Sequence, residues 1–559
     1  MTSSSSEMLG LDGLEILGPN PFVGMGAADI LETIGQISSG TVRSPLAAFS
    51  HQTAFACSLL AILAGTANIE VPNGDKRFAD PIWTGNTFYR IAMQSYLSWT
   101  RAMQGFARDI GQDEIAQRRA QFVVSLLTEA CAPTNTLLGN PAALKTALET
   151  GGRSLANGLR NLLHDLATNR GLPSQVDKSK FAIGGNLGLS PGAVVWRDEV
   201  LELIQYTPQT PNVYVRPQLI VPPQINKFYI FDLAPGKSIV EHLLKNGFQT
   251  FIVSWRNPTA EHRDWNMDTY VSSLLGAVNT VRTITHSGSV NLHGACSGAL
   301  TISALLGYLA ATKQDLVSAV SLMVAVLEPE SESLLSALSS KQTIAAAKLS
   351  SAAKGILEGE EMGRVFAWLR PNDLVWNYWV NNYLMGNPPP AFDVLYWNSD
   401  TTRLPAAFHA NLLDIFAGDL LGQPEAFKVL GQPIDLTAVG IDKFVVAGVS
   451  DHITPWKSAF RSTRLFTGPT EFVLSSSGHI QSLINPPGNM RAKYYLGATP
   501  ASDPDAWLSS AREERGSWWD HWAQWIADRS GEKRVAPRGL GNKRYRPAVD
   551  APGTYVALP

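Results

Sequence analysis

Leu292-His293-Gly294-Ala295-Cys296-Ser297-Gly298-Ala299 is the stretch that decides the fold. An apolar, strand-like run at 290–292 enters Gly-x-Cys-x-Gly, and Leu300-Thr301-Ile302-Ser303-Ala304-Leu305-Leu306 continues it as a helix former. A strand that turns sharply into a helix holds a nucleophile in strained backbone geometry, and the two glycines remove the Cβ atoms that would crowd the bend. Cys296 stands where such an elbow usually carries serine.

Short apolar runs recur on both sides of this elbow, at 218–221, 250–254, 319–326, 443–447 and 471–474, with helical stretches between them. Strands buried on both faces and alternating with helices make a mostly parallel sheet covered by helices on each side. Together with the elbow, this predicts an α/β-hydrolase fold. Further upstream, 193–196 and 201–206 flank Arg197-Asp198-Glu199 and read as a hairpin. From about 27 to 170 the pattern is helical: Phe122, Val123, Leu126 and Leu127, then Leu155, Leu159, Leu162, Leu163 and Leu166, recur at three and four. Gly171-Leu172-Pro173-Ser174 breaks that pattern. The expected organisation is a helical N-terminal domain over 1–175 and a catalytic domain over 176–559, with a cap or lid inserted at about 328–440. The insertion begins helical and turns aromatic and proline-rich at Trp376-Asn377-Tyr378-Trp379 and Pro388-Pro389-Pro390.

With 559 residues, 45% of them hydrophobic and 17% charged, the chain has the make-up of a packed protein with more than one folding unit. A formal net charge of -3 gives no electrostatic reason to expect nucleic acid as a partner. Three cysteines, Cys57, Cys131 and Cys296, are too few for a disulfide framework, and no Cys/His spacing resembles a zinc site, so no metal is expected. Met1-Thr2-Ser3-Ser4-Ser5-Ser6-Glu7 lacks the basic and apolar regions of a signal peptide. The apolar stretch at 55–64 is too short to span a bilayer, so the expectation is a cytoplasmic protein with no transmembrane segment.

An elbow of this kind is served by an acid and then a histidine, on loops after the last strands. The run at 443–447 is followed by Gly448-Val449-Ser450-Asp451-His452, and the run at 471–474 by Ser475-Ser476-Ser477-Gly478-His479. Asp451 and His479 thereby complete a candidate triad with Cys296. Asp435 and Asp442 precede or open a strand and face the wrong end of the sheet, while His452 and His293 read as structural. In this arrangement His479 takes the Cys296 proton, and Asp451 fixes the imidazole tautomer. The oxyanion needs two donors. One is the backbone N–H of Ser297; the other belongs to Pro222-Pro223-Gln224-Ile225-Asn226, at Gln224 or Ile225. Cysteine carries its own chemical message. A thioester passed to a thiol keeps its free energy and remains transferable to an alcohol, whereas on serine it becomes a comparatively inert ester. Acyl transfer from thioesters is therefore favoured over lipid hydrolysis.

Several motifs in series resemble the polyhydroxyalkanoate synthases over about residues 70–559: Gly294-x-Cys296-x-Gly298, Pro222-Pro223-Gln224-Ile225-Asn226-Lys227-Phe228-Tyr229, Ser254-Trp255-Arg256-Asn257-Pro258, Arg370-Pro371-Asn372-Asp373-Leu374-Val375-Trp376-Asn377-Tyr378-Trp379, Asp451-His452-Ile453-Thr454-Pro455-Trp456, Gly478-His479-Ile480 and Asn485-Pro486-Pro487-Gly488-Asn489. Chain length and Glu202-Leu203-Ile204-Gln205-Tyr206 look most similar to the class II enzymes, which act on medium-chain monomers. The resemblance implies a polymerase that takes (R)-3-hydroxyacyl-CoA, releases CoA and extends a polyester held on the enzyme. CoA is the leaving group, and no cofactor is implied. Cys296 would carry the acyl chain, His479 would activate it, and Asp451 would also promote attack by the monomer's 3-hydroxyl. A homodimer on the surface of cytoplasmic polyester granules is implied as well. His293 departs from the residue expected before the elbow glycine.

Ala325, near the end of the run before the cap, and Gln481, two residues past His479, are candidate acyl-pocket positions. Two other readings share parts of the pattern. A thioesterase or esterase would pass the acyl group to water, and a granule-coat protein would carry a vestigial elbow. The cysteine and the large cap argue against the first, and a complete triad in the right order argues against the second. Trp518-Trp519-Asp520-His521-Trp522-Ala523-Gln524-Trp525-Ile526 reads as a terminal helix packed on the sheet, with contact to polymer or a partner as the alternative. Ala551-Pro552-Gly553-Thr554-Tyr555-Val556 also occurs in the class II group, and nothing in the sequence gives a physical reason for it.

Overall fold

The computed structural model describes residues 27–72, 75–110, 114–328, 341–497 and 503–559. Backbone contacts divide the chain into two units: Met1–Lys178 with Ser331–Ile344 and Glu361–Phe392, and Ser179–Glu330 with Ala345–Glu360 and Asp393–Pro559. The stretch expected as one cap, about 328–440, is thus shared between them. Part of it belongs with the helices for specific reasons. Asn161 Nδ2 donates to the carbonyls of Asn382 and Asn387, each at 3.0 Å, and the Tyr383 hydroxyl donates to buried Asp165 at 2.7 Å. Gly158 lies so close to the Tyr383 carbonyl that a Cβ would sit 1.8 Å from its oxygen.

The first unit contains α1 (Ala27–Arg43), α2 (Pro45–Leu63), α3 (Thr87–Asp109), α4 (Glu114–Ala130) and α5 (Arg153–Thr168). A small aromatic cluster of Phe78, Trp83, Tyr89, Met93, Tyr96 and Leu97 packs around the start of α3. The leucine stripe of α5 is helical as its spacing predicts, yet Leu159, Leu163 and Leu166 are exposed. The buried face is Ser154, Gly158 and Asp165, whose small or hydrogen-bonded side chains let the 379–387 backbone come close. α2 corrects the estimate for 55–64. Pro45 opens the helix ten residues earlier, as proline favours at a first turn, and the resulting 19 residues are long and apolar enough, by length and composition alone, to cross a membrane. Its Leu46, Phe49, Leu60 and Leu63 are exposed.

In the second unit the strands of the main sheet, in chain order, are β1 (Gly192–Arg197), β2 (Leu201–Tyr206), β3 (Gln218–Val221), β4 (Thr250–Trp255), β5 (Val290–Ala295), β6 (Val317–Met323), β7 (Asp442–Gly448), β8 (Thr470–Ser475), β9 (Lys493–Leu496), β10 (Arg512–Arg515) and β11 (Val549–Asp550). They form one eleven-stranded sheet in the order β10-β9-β8-β7-β6-β5-β3-β4-β2-β1-β11. The stretch from β8 to β4 is parallel throughout, and antiparallel strands close both edges. β3, β4 and β5 are buried along their whole length, as strands covered on both faces must be. The elbow strand β5 runs in the middle, between β3 and β6. From it, α6 (Ser297–Ala311) leaves almost wholly buried.

The tryptophan-rich segment is helix α7 (Trp518–Ala527), packed into the main core. Its indoles also have work beyond packing: Trp518 and Trp519 donate to the carbonyls of Ser482 and Leu483 at 2.8 and 3.1 Å, and Trp522 donates to Ser321 Oγ at 2.9 Å. His293, on β5, is fully buried in the same region. Ser321 Oγ donates to its Nδ1 at 3.0 Å, and its Nε2–H donates to Gln218 Oε1 at 2.9 Å, so both ring nitrogens are satisfied by the neutral form. Burial pushes this imidazole down to about 3. The unfolded chain protonates histidine near 6.5, so stability falls as pH drops below that value, by about 1.4 kcal/mol per unit for one such group. In urea unfolding, wild type should therefore lose about 1 kcal/mol more stability between pH 6.5 and 5.5 than His293→Gln loses over the same interval. Equal losses would contradict a neutral, buried imidazole.

Candidate active site

Both elbow glycines are dictated by contact. A Cβ on Gly294 would meet Ile302 Cδ1 at 2.6 Å, and one on Gly298 would meet the carbonyl oxygens of Val221 and Pro222 at 2.3 and 2.6 Å. Between them Cys296 is half-buried at φ 48°, ψ -123°, a region that side-chain-bearing residues rarely occupy. Its N–H donates to the Met323 carbonyl at 3.1 Å, at the end of β6. The next residue, Val324, is also at positive φ (43°) and donates to the Val446 carbonyl at 2.7 Å. Strain of this kind persists only where the surroundings over-determine the backbone, and here three parallel strands do so.

The loop after β7 carries Asp451. Its Oδ1 accepts from the N–H groups of Ile453 and Thr454, each at 2.9 Å. Its Oδ2 accepts from Thr454 Oγ1 at 2.6 Å and from His479 Nδ1 at 2.7 Å. Burial alone would raise this carboxyl, but the charge and hydrogen bond of His479, with the hydrogen bonds of Thr454, hold it below the ordinary carboxylate value. His479 opens the single-turn helix His479–Leu483 after β8, the same turn whose carbonyls the α7 indoles hold. Burial pushes its imidazole down. The charge and hydrogen bond of Asp451, followed by those of Cys296, outweigh burial and push it up to about 10. With Nδ1 committed to Asp451, Nε2 is the nitrogen left for the thiol. Cys296, Asp451 and His479, read from three separate stretches, are thus brought together.

Thr454 belongs to this cluster and was not anticipated. Its hydroxyl also lies 3.1 Å from His479 Nδ1, completing the cradle around the acid. Ser297 opens α6, where first-turn N–H groups have no partner within the helix. Of the two candidates for the second oxyanion donor, Gln224 is set aside: its N–H donates to Ser297 Oγ at 3.0 Å, and its side chain to Thr301 Oγ1 at 2.9 Å. Ile225 remains. The loop around it is tied down by the segment following 393. Thr402 Oγ1 donates to the Gln224 carbonyl at 2.6 Å, Asn226 Nδ2 donates to the Trp397 carbonyl at 3.1 Å, and Trp397 Nε1 donates to the Lys227 carbonyl at 2.7 Å. Ala325 is buried just beyond β6, whereas Gln481 is exposed on the turn that begins at His479. Among the described residues, no group of three or more His, Cys, Asp or Glu side chains could hold a metal ion.

Fold and site together define an α/β-hydrolase-fold protein with cysteine at the strand-to-helix elbow. Residues 220–486 match the alpha/beta hydrolase fold family, and residues 74–243 match the family described as the N-terminus of poly-beta-hydroxybutyrate polymerase (PhaC). The chain is 49% identical to poly(3-hydroxyalkanoate) polymerase 1 of Ectopseudomonas oleovorans, over 97% of this chain and 96% of that one. It is 47% identical to polymerase 2 of the same organism, over 96% of each. To the poly(3-hydroxyalkanoate) polymerase subunit PhaC of Cupriavidus necator it is 38% identical, over 89% of this chain and 85% of that one. The chain belongs to the polyhydroxyalkanoate synthase family. It is an acyltransferase, and the hydrolase alternative is not favoured.

Proposed function

We propose that this synthase polymerises medium-chain (R)-3-hydroxyacyl-CoA through an acyl chain carried on Cys296. The observation that supports the reading best is the buried Asp451–His479 pair, 2.7 Å apart, with the elbow cysteine beside it. His479 Nε2 takes the thiol proton, and Sγ attacks the thioester carbonyl. The Ser297 and Ile225 N–H groups hold the oxyanion, a preorganised arrangement that needs no solvent rearrangement during reaction. The C–S bond to CoA breaks, and the imidazolium returns its proton to the departing thiolate. The 3-hydroxyl of a second acyl group, deprotonated with the help of His479 and Asp451, then attacks the acyl-cysteine. An ester forms and the thiol is regenerated. CoA is only a leaving group, and no cofactor enters these steps.

The medium-chain preference rests on the class II resemblance, and Ala325 is the pocket position retained for it. The exposed apolar side chains of α2 and α5 suit contact with the polyester, which supports placement at the surface of cytoplasmic granules. Homodimerisation is proposed on the resemblance alone. The purified chain supplied with 3-hydroxydecanoyl-CoA should release free thiol and form insoluble polyester in parallel. Thiol accompanied only by soluble hydroxy acid would make the enzyme a hydrolase, and no thiol would overturn the reading altogether.

A further inference from the structure

The segment 554–559 is built into the enzyme beside the loop that carries the proposed oxyanion donor. Glu202, fully buried on β2, accepts from the N–H groups of Thr554 and Tyr555 at 2.8 and 2.9 Å and from the Thr554 hydroxyl at 2.6 Å. Arg197 balances that carboxylate at 2.7 Å. The Tyr555 ring lies under the guanidinium groups of Arg197 and Arg256, at 5.8 and 5.6 Å, and its hydroxyl donates to the Asp198 carbonyl at 2.6 Å. Val556 is buried in the main core. These contacts fix the first half of the segment.

The second half meets Lys227. This lysine is 6% exposed, and its ammonium donates to the carbonyls of Val556 and Leu558 at 2.8 and 2.7 Å, with Asp400 at 3.9 Å. Arg403 extends the same tie, its guanidinium donating to the Pro559 carbonyl at 2.9 Å. A buried ammonium is costly unless it is paired and hydrogen-bonded, and an apolar side chain would fill the space with less penalty. Burial does push this ammonium's pKa down. Lys227 follows Asn226, where the backbone turns at φ 68°, and Asn226 follows Ile225. Lys227 thus adds a side-chain anchor, two residues from Ile225, to the ties that Thr402, Asn226 and Trp397 already make to this loop.

We propose that residues 554–559 are a positioning element of the active site: by gripping the Lys227 ammonium through backbone carbonyls, they hold loop 222–227 in the shape that aims the Ile225 N–H at the oxyanion. The proposal rests on the polymerase reading of the site. In this proposal Lys227 and the segment act through the loop, by their contacts with each other.

The test compares full-length enzyme with a chain ending at Gly553, with Lys227→Met, with Lys227→Arg, and with the truncation and Lys227→Met combined. CoA release from 3-hydroxydecanoyl-CoA gives kcat and KM, and iodoacetamide alkylation of Cys296 across pH reports the triad independently. Truncation and Lys227→Met should each lower kcat about 100-fold, the scale of one lost oxyanion donor. KM and the alkylation profile should hold, because substrate contacts and the triad are untouched. The combined variant should lose no more than either single change, since both break one link. Lys227→Arg, which still donates to both carbonyls, should keep most of the activity. An unchanged kcat in Lys227→Met, multiplied losses in the combined variant, or alkylation falling in step with kcat would each overturn the proposal. An insoluble truncation leaves Lys227→Met to decide. If unaltered enzyme made no polyester, the polymerase reading would fail on its own, separately from these comparisons.

Discussion

Cys296→Ala is expected to abolish CoA release and polyester formation together, with turnover reduced by at least about 10⁴-fold, as when a catalytic nucleophile is removed. Alanine can take the elbow backbone conformation as well as cysteine does, and the contacts around Gly294 and Gly298 are untouched. The fold should therefore survive, with an unchanged circular dichroism spectrum and thermal midpoint. Cys57 and Cys131 are both exposed, so denaturant-free alkylation should still label them while losing one equivalent relative to wild type. Retained turnover in soluble, folded Cys296→Ala protein would remove residue 296 from the chemistry.

Asp451→Asn should be nearly as damaging, lowering kcat by about 10³–10⁴-fold, the scale seen when a triad acid becomes an amide. The carboxylate receives the Nδ1 proton of His479 while Thr454 and two backbone N–H groups hold it ionised. An amide can instead point its NH₂ at Nδ1, which places the ring proton on Nε2, facing the thiol it must deprotonate. Stability changes with a defined sign. The His479 pKa is raised in the folded state, so its pairing with Asp451 stabilises the protein fully below about pH 6.5 and fades as pH rises through about 10. Asp451, held low, contributes above its unfolded value and loses that contribution as pH falls. Urea unfolding should therefore separate wild type from Asp451→Asn most clearly near pH 6 and least near pH 10. A gap that widened toward alkaline pH would contradict the ion pair.

The parallel core was legible because buried strands read as apolar runs. The six stretches at 218–221, 250–254, 290–292, 319–326, 443–447 and 471–474 coincide with β3 to β8 within a few residues. β9 and β10 were not legible. Tyr494-Tyr495-Leu496 is too short a run to announce a strand, and Arg512-Glu513-Glu514-Arg515 has no apolar side chain at all; their pairing with β8 and with each other makes them strands. The α5 leucines announced a helix without announcing which way it faces, since periodicity marks an apolar side but not its partner. At the site, the elbow showed itself through its paired glycines, of which Gly298 is pressed against the Val221 and Pro222 carbonyls. Thr454 could not be found that way, because a threonine near an acid carries no spacing rule. Segment 554–559 was equally opaque. It acts largely through backbone N–H and carbonyl groups, which leave no mark in the order of side chains.

The two margins of the sheet have a colloidal consequence. Unpaired margins of a large sheet are templates for joining one chain to the next. Here one margin is four consecutive charged residues, Arg512-Glu513-Glu514-Arg515, with Lys493 and Glu513 paired at 2.9 Å across it, and the other is the two-residue strand β11. Crowded copies of this chain would meet like-patterned charge on one side and too short a ladder on the other. The hydrogen-bonding capacity of an eleven-stranded sheet is thereby kept from zipping neighbouring molecules into aggregates.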